Sequence, residues 1–251
     1  MTLRSRTVLA TSVLGAALVA WIVLVQRMRG MDAGPGTDLG AFGWFVGIWV
    51  TMTAAMMLPS ATPAVVMLGR VRRNAPAWLF VTGYVVTWTG YGLVAYGIYR
   101  AARAADPAFL KWDNQGPLVA GGALIAAGLY QLTPLKRACL RYCRSPLRFL
   151  AHGRDGPYGA LQMGVVYGAY CIGCCTGLML ALFALGVMSL FWMALVAVAI
   201  LVEKVLPGGE MFARVLAVVL VALGIVVIAS PSSAPGVTQP SDGQMHMEMM
   251  R

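Results

Sequence analysis

Charge is what this sequence has least of. Only 11% of its 251 residues are charged, against roughly 25% in soluble domains, so no segment has the polar surface that an independently folding soluble domain requires. With a mean hydropathy of +0.75, the expected solvent is a bilayer. Acidic side chains are the scarcest, 9 against 19 basic ones. In a membrane chain that imbalance reads as topology, because cytoplasmic loops collect Lys and Arg, and no nucleic-acid binding is expected from the net charge of +10. The sequence also lacks an ATP-binding loop and a phosphorylated-Asp motif, which argues against active pumping. It has no convincing internal repeat. No clear small-x-small cleavage site precedes Gln26, and the apolar run from Thr7 to Val25 is nearer a spanning helix than a signal core, so an uncleaved first helix is expected.

What the sequence does have is a series of apolar runs near residues 7–25, 41–67, 78–100, 116–135, 159–184, 188–205 and 209–229. Each is long enough for a hydrocarbon core of about 30 Å. The fifth and sixth divide at Gly186-Val187-Met188-Ser189, since one helix from Gly159 to Val202 far exceeds a single crossing. The expected fold is all-α: a polytopic transmembrane helical bundle of about seven helices over residues 1–229, then a flexible tail over 230–251. Arg4 and Arg6, then Arg70, Arg72 and Arg73, then Lys136, Arg137, Arg141, Arg144, Arg148 and Arg154 occupy alternate loops. That pattern predicts a multi-pass inner-membrane protein in contact with lipid, its N-terminus cytoplasmic and its C-terminus external or periplasmic. The opposite loops are mixed, with Arg27, Arg29, Asp32 and Asp38 in one and Arg100, Arg103, Asp106, Lys111 and Asp113 in the other.

Sulfur is the abundant heteroatom, with five Cys and 16 Met. At about 100° per residue, Met52, Met56, Pro59, Pro63 and Met67 fall on one narrow face of the second helix, with Met57 off it. Thioethers are soft, uncharged ligands for Cu(I) that need no deprotonation; the same stripe equally serves adaptable packing. In the fifth run, Cys171, Cys174 and Cys175 share a face roughly 100° wide near mid-membrane. Three readings stand: a soft-metal site, small residues that let helices approach, and thiol exchange through the Cys171-x-x-Cys174 spacing. After Pro134, a helix would put Cys139 and Cys143 on one face, beside basic residues that suit Cu(I) transfer or thiol exchange. A basic interfacial helix on anionic lipid would account for the arginines but not for two thiols in register.

Glu203 and Lys204 fall near the cytoplasmic end of the sixth run, where an interfacial position and mutual pairing are expected. Beyond the Ser- and Pro-containing linker that starts at Ser230, four of the six residues from Met245 to Met250 are Met and another is His246. Met245, His246, Met247, Met249 and Met250 together have the composition of a copper-capturing segment. A disordered tail or a cloning remnant has the same appearance.

The segments Trp49-x-x-Met52-x-x-Ala55-Met56-Met57-x-Pro59, Tyr130 to Lys136 with Cys139-Leu140-x-x-Cys143-Arg144-Ser145-Pro146, Gly173-Cys174-Cys175-x-x-Leu178-Met179 and Glu203-Lys204 resemble the DUF2182 family of metal-binding integral membrane proteins, some described as copper chaperones. The resemblance covers about residues 40–228. Tyr142 stands before the second loop cysteine, where the family commonly has His. The resemblance implies a non-enzymatic protein that binds copper as Cu(I) and hands it on, with a copper-donor or copper-acceptor protein as partner. Met52, Met56, Met57, Cys171, Cys174 and Cys175 would form an intramembrane site, Cys139 and Cys143 a cytoplasmic station, and the tail an external collector. The alternatives are a membrane thiol oxidoreductase with a Cys171–Cys174 disulfide, and a structural subunit of a membrane complex whose sulfur residues only pack.

Overall fold

The computed structural model describes residues 3–28, 42–71, 75–105, 116–145, 156–186 and 189–230. Over these the chain is helical: α1 Leu3–Met28, α2 Phe42–Val71, α3 Ala77–Ala105, α4 Gly116–Gln131, α5 Pro134–Arg144, α6 Gly156–Leu185, α7 Leu190–Val205 and α8 Gly209–Ala229, with no strand among the described residues. The tail residues Met245, His246, Met247, Met249 and Met250 lie outside them, as do Asp32, Asp38, Lys111, Asp113, Arg148 and Arg154 in the loops.

Each apolar run has become a helix, and two boundaries follow from local chemistry. The long fifth and sixth runs part where expected: α6 stops at Leu185, and Gly186 takes φ +107°, a conformation that costs glycine little and L residues much. The fourth run is shorter than expected and ends at Gln131. Pro134 cannot donate to a preceding carbonyl but is well suited to the first turn of a new helix. Thr133 caps that turn by accepting from the Lys136 amide at 3.2 Å, and the axis bends by 63° into α5.

Four helices are long and apolar enough to cross a membrane, over Arg6–Met28, Phe42–Val71, Gly156–Leu185 and Gly209–Ala229; the bent α4–α5 pair would make a fifth. α3 and α7 pack as helices without meeting the same test, so length and hydropathy support four or five crossings where about seven were expected. The outward faces remain apolar. Val8, Leu18 and Val19 on α1 and Val215, Val218 and Val219 on α8 are exposed, a surface that is costly in water and suited to lipid.

α6 is the hub, packed against α3, α4, α5 and α7, while α2 packs on α1, α3 and α7. Pro59, inside α2, has no N–H, which leaves the Ala55 carbonyl without its usual helical donor. The Trp21 indole of α1 supplies one at 3.0 Å, so the interruption also joins two helices. Met52, Met56 and Met57 are all buried. The expected stripe is therefore altered: Met57 turns inward with the other two, Pro63 is exposed, and Met67 is half-buried. Beyond Pro59 the inward face of α2 passes to Ala61, Ala64, Val65 and Leu68.

Candidate metal centre

The centre is built where α5 and the last turn of α7 meet the middle of α6. A three-residue step followed by an adjacent residue puts Cys171, Cys174 and Cys175 on one inward side of α6, and their three sulfurs lie within 4.8 Å of one another. All three are buried. The Cys174 and Cys175 sulfurs are 3.5 Å apart, and Cys174 also points its sulfur at the Cys171 carbonyl at 3.2 Å.

A fourth thiol arrives from a different element. α5 is strongly amphipathic, burying Lys136, Cys139, Leu140 and Cys143 while Arg137 and Arg141 stay exposed. The expectation that Cys139 and Cys143 share a face is met, and that face is turned toward the α6 thiols. Cys143 Sγ is 3.7 Å from Cys174 Sγ, because the 63° bend folds α5 back against α6. Cys139 rests on Gly173, where an added Cβ would stand 2.6 Å from its sulfur and force that thiol to shift. The Tyr130 hydroxyl donates to the Gly173 carbonyl, fixing α4 beside the same point. Tyr142 lies against Tyr170, rings 4.2 Å apart and 8° from parallel.

Charge reaches the sulfurs through α7. The expected Glu203–Lys204 pair does not form, and neither residue sits at an exposed interface: both are buried and turn to different partners. Lys204 donates to Cys171 Sγ at 2.8 Å and to Ser60 Oγ at 3.3 Å. Glu203 accepts from Lys136 at 2.7 Å and from Gln131 at 3.3 Å, and Lys136 also donates to the Gln131 side chain. Successive helical residues point about 100° apart, so one turn of α7 serves two groups of partners. The Tyr84 hydroxyl of α3, 3.0 Å from Cys171 Sγ, completes the enclosure.

Lys204, Tyr84 and Ser60 were not legible as site residues. Lys204 carried a weak signal as an ionisable residue in an apolar helix; Tyr84 and Ser60 carried none. The five cysteines are free. A cluster of buried thiols with one ammonium is a soft, electron-rich donor set that fits a thiophilic cation and is ill-suited to hard ions such as Mg²⁺. The positive charge of Lys204 offsets the negative charge that metal–thiolate complexes carry in a low-dielectric interior.

A family model described as PpoB2, a copper chaperone, matches residues 46–227. The match takes in α2 from residue 46 on, the α4–α5 elbow, the α6 thiols and the last turn of α7, and ends short of the tail. No curated protein and no solved structure matches the chain.

Proposed function

The chain belongs to the PpoB2 copper chaperone family, and from that premise we propose that it is a membrane protein that takes up Cu(I) as cargo on cysteine sulfur and passes it to a partner protein. The observation that carries this reading is the meeting of the Cys171, Cys174 and Cys175 sulfurs within 4.8 Å, with Cys143 at 3.7 Å from Cys174. Cu(I) is satisfied by two or three soft ligands, so four thiols offer more positions than the ion fills at once. Surplus ligands allow transfer by stepwise exchange, each new Cu–S bond forming as an old one breaks, with no change of oxidation state. The likeness to the DUF2182 family points the same way. The protein purified without oxygen is expected to hold Cu(I) against a competing chelator, with at least one equivalent per chain by elemental analysis. Metal-free protein that cannot be loaded would refute the assignment.

Met52, Met56 and Met57 extend the site along α2. Ser60 touches Lys204, and at about 1.5 Å of rise per residue Met57, Met56 and Met52 stand about 4.5, 6 and 12 Å along the axis from it. In this reading they are neutral relay ligands. Cys139, against Gly173, is the thiol next to the arriving or departing ion on the α5 side.

The proposed setting is the inner membrane, with the N-terminus and α5 on the cytoplasmic side and the C-terminus outside. Seven crossings would place a reporter fused after Arg73 or near His152 inside and one at Arg251 outside. An inside signal at Arg251 removes the odd number of crossings.

Met245, His246, Met247, Met249 and Met250 are proposed to collect copper outside, where thioethers remain usable ligands. A peptide of residues 241–251 is expected to bind Cu(I), and Leu at the four Met positions should abolish binding while keeping apolar bulk. Equal binding by the Leu peptide would eliminate the collector.

A further inference from the structure

α5, which brings Cys143 to the metal centre, is held at both ends by residues in and just after the last turn of α7. At the start of α5, buried Lys136 donates to the Glu203 carboxylate at 2.7 Å. At its end, the Arg144 guanidinium donates to the carbonyls of Glu203 at 3.3 Å and Leu206 at 2.8 Å. Cys143 lies between these grips on the buried face. The link from α4 is the two-residue bend Leu132–Thr133, and the contacts to α7 lie beyond it at either end of α5.

We propose that Glu203 is a positioning residue for the metal centre: through Lys136 with its carboxylate, and through Arg144 with its carbonyl, it clamps α5 so that Cys143 is presented to Cys174. This deepens the copper reading, on which it rests for the purpose of the fourth thiol. The adjacent residue gives the clamp its significance. Lys204 touches Cys171, so a single dipeptide registers the two thiol-bearing helices against one another, Glu203 holding α5 and Lys204 holding α6. The clamp also has a reason to be polar. An apolar contact would fix α5 without directional preference, whereas a buried ion pair with an added amide donor has one satisfactory arrangement and is costly in others.

The test is alkylation of the five thiols with a membrane-permeant maleimide in the intact, metal-free protein in lipid nanodiscs, with each cysteine followed separately by peptide mass spectrometry. In the native protein all five should react slowly, being buried. Glu203→Gln removes the carboxylate charge and should speed modification of Cys143 about tenfold, the scale set by losing one charge-assisted hydrogen bond from a local opening equilibrium. Cys171 and Cys175 should keep their native rates, because they are carried by α6 itself. Glu203→Asp, which keeps the charge, should lie nearer the native protein than Glu203→Gln does.

Glu203→Gln leaves Lys136 buried without its counter-charge and could prevent folding. Arg144→Ala therefore serves as a second variant, since it loosens the other end of α5 and leaves no buried charge. It too should speed Cys143 selectively. The clamp is overturned if Cys143 is unchanged in the variants that fold, or if Cys171 and Cys175 rise along with it, which would signify general loosening. Because alkylation is read without metal, native protein that fails to bind Cu(I) would refute the copper assignment and leave this comparison to decide the clamp separately.

Discussion

Replacing both Cys174 and Cys175 with Ser is expected to abolish stoichiometric Cu(I) binding, lowering affinity by about a hundredfold or more, as befits losing ligands in direct contact with the ion. Cys174 is the centre of the arrangement, 3.7 Å from Cys143 and 3.5 Å from Cys175. Its removal breaks a short sulfur–sulfur link between α5 and α6. Serine nearly preserves volume but offers a hard hydroxyl to a soft ion. It also brings its own hydrogen-bonding solution, because a helical Ser donates to the carbonyl three or four residues back, the route Cys174 already takes toward Cys171. Packing of α6 should therefore survive, and the helical content and thermal midpoint of the variant should stay near native. Retention of one tightly bound Cu(I) per chain would eliminate this cluster as the site.

Much of the scaffold was legible because it rests on short-range rules. The apolar runs became helices, the glycine-bearing break at Gly186 separated α6 from α7, and Thr133-Pro134 marked a helix start whose four-residue spacing put Cys139 and Cys143 on one face. The site as a whole was less legible, because its members come from helices far apart in sequence. Nothing near Lys136 says that its partner is Glu203, 67 residues on, and the adjacency of Glu203 and Lys204 pointed to the wrong pair. Long side chains choose partners by tertiary position, and in a buried setting each charge must find one. The methionine stripe failed for a related reason. A single narrow face describes a helix with one neighbour, whereas α2 is packed on α1, α3 and α7. Met57 is consequently as buried as Met52 and Met56.

Gly164→Ala is expected to weaken both the fold and the metal centre, although alanine is the better helix former. In an unhindered helix that exchange gains about 0.5–1 kcal/mol. At Gly164, however, the added methyl would run into the Phe80 carbonyl group, with the carbonyl carbon at 2.8 Å and Cα at 3.0 Å. These are backbone atoms of α3 and cannot rotate away as a side chain could. On the facing surface a Cβ added at Gly83 would stand 3.0 Å from the Val165 amide nitrogen, so the two helices approach backbone to backbone and can admit the methyl only by separating. Overpacking of this kind costs about 1–3 kcal/mol, enough to outweigh the propensity gain. The consequence reaches the thiols, because Tyr84 lies one turn beyond Phe80 on α3 and meets Cys171 at 3.0 Å. Moving α3 outward withdraws that hydroxyl and opens the enclosure, so the thermal midpoint and Cu(I) affinity should fall together. Gly90→Ala, on α3 with nothing within 4 Å of its added Cβ, separates the two effects: it should keep native affinity and gain slight stability. If Gly164→Ala matches Gly90→Ala in both measurements, the close contact of α3 and α6 is not what holds Tyr84 at the metal centre.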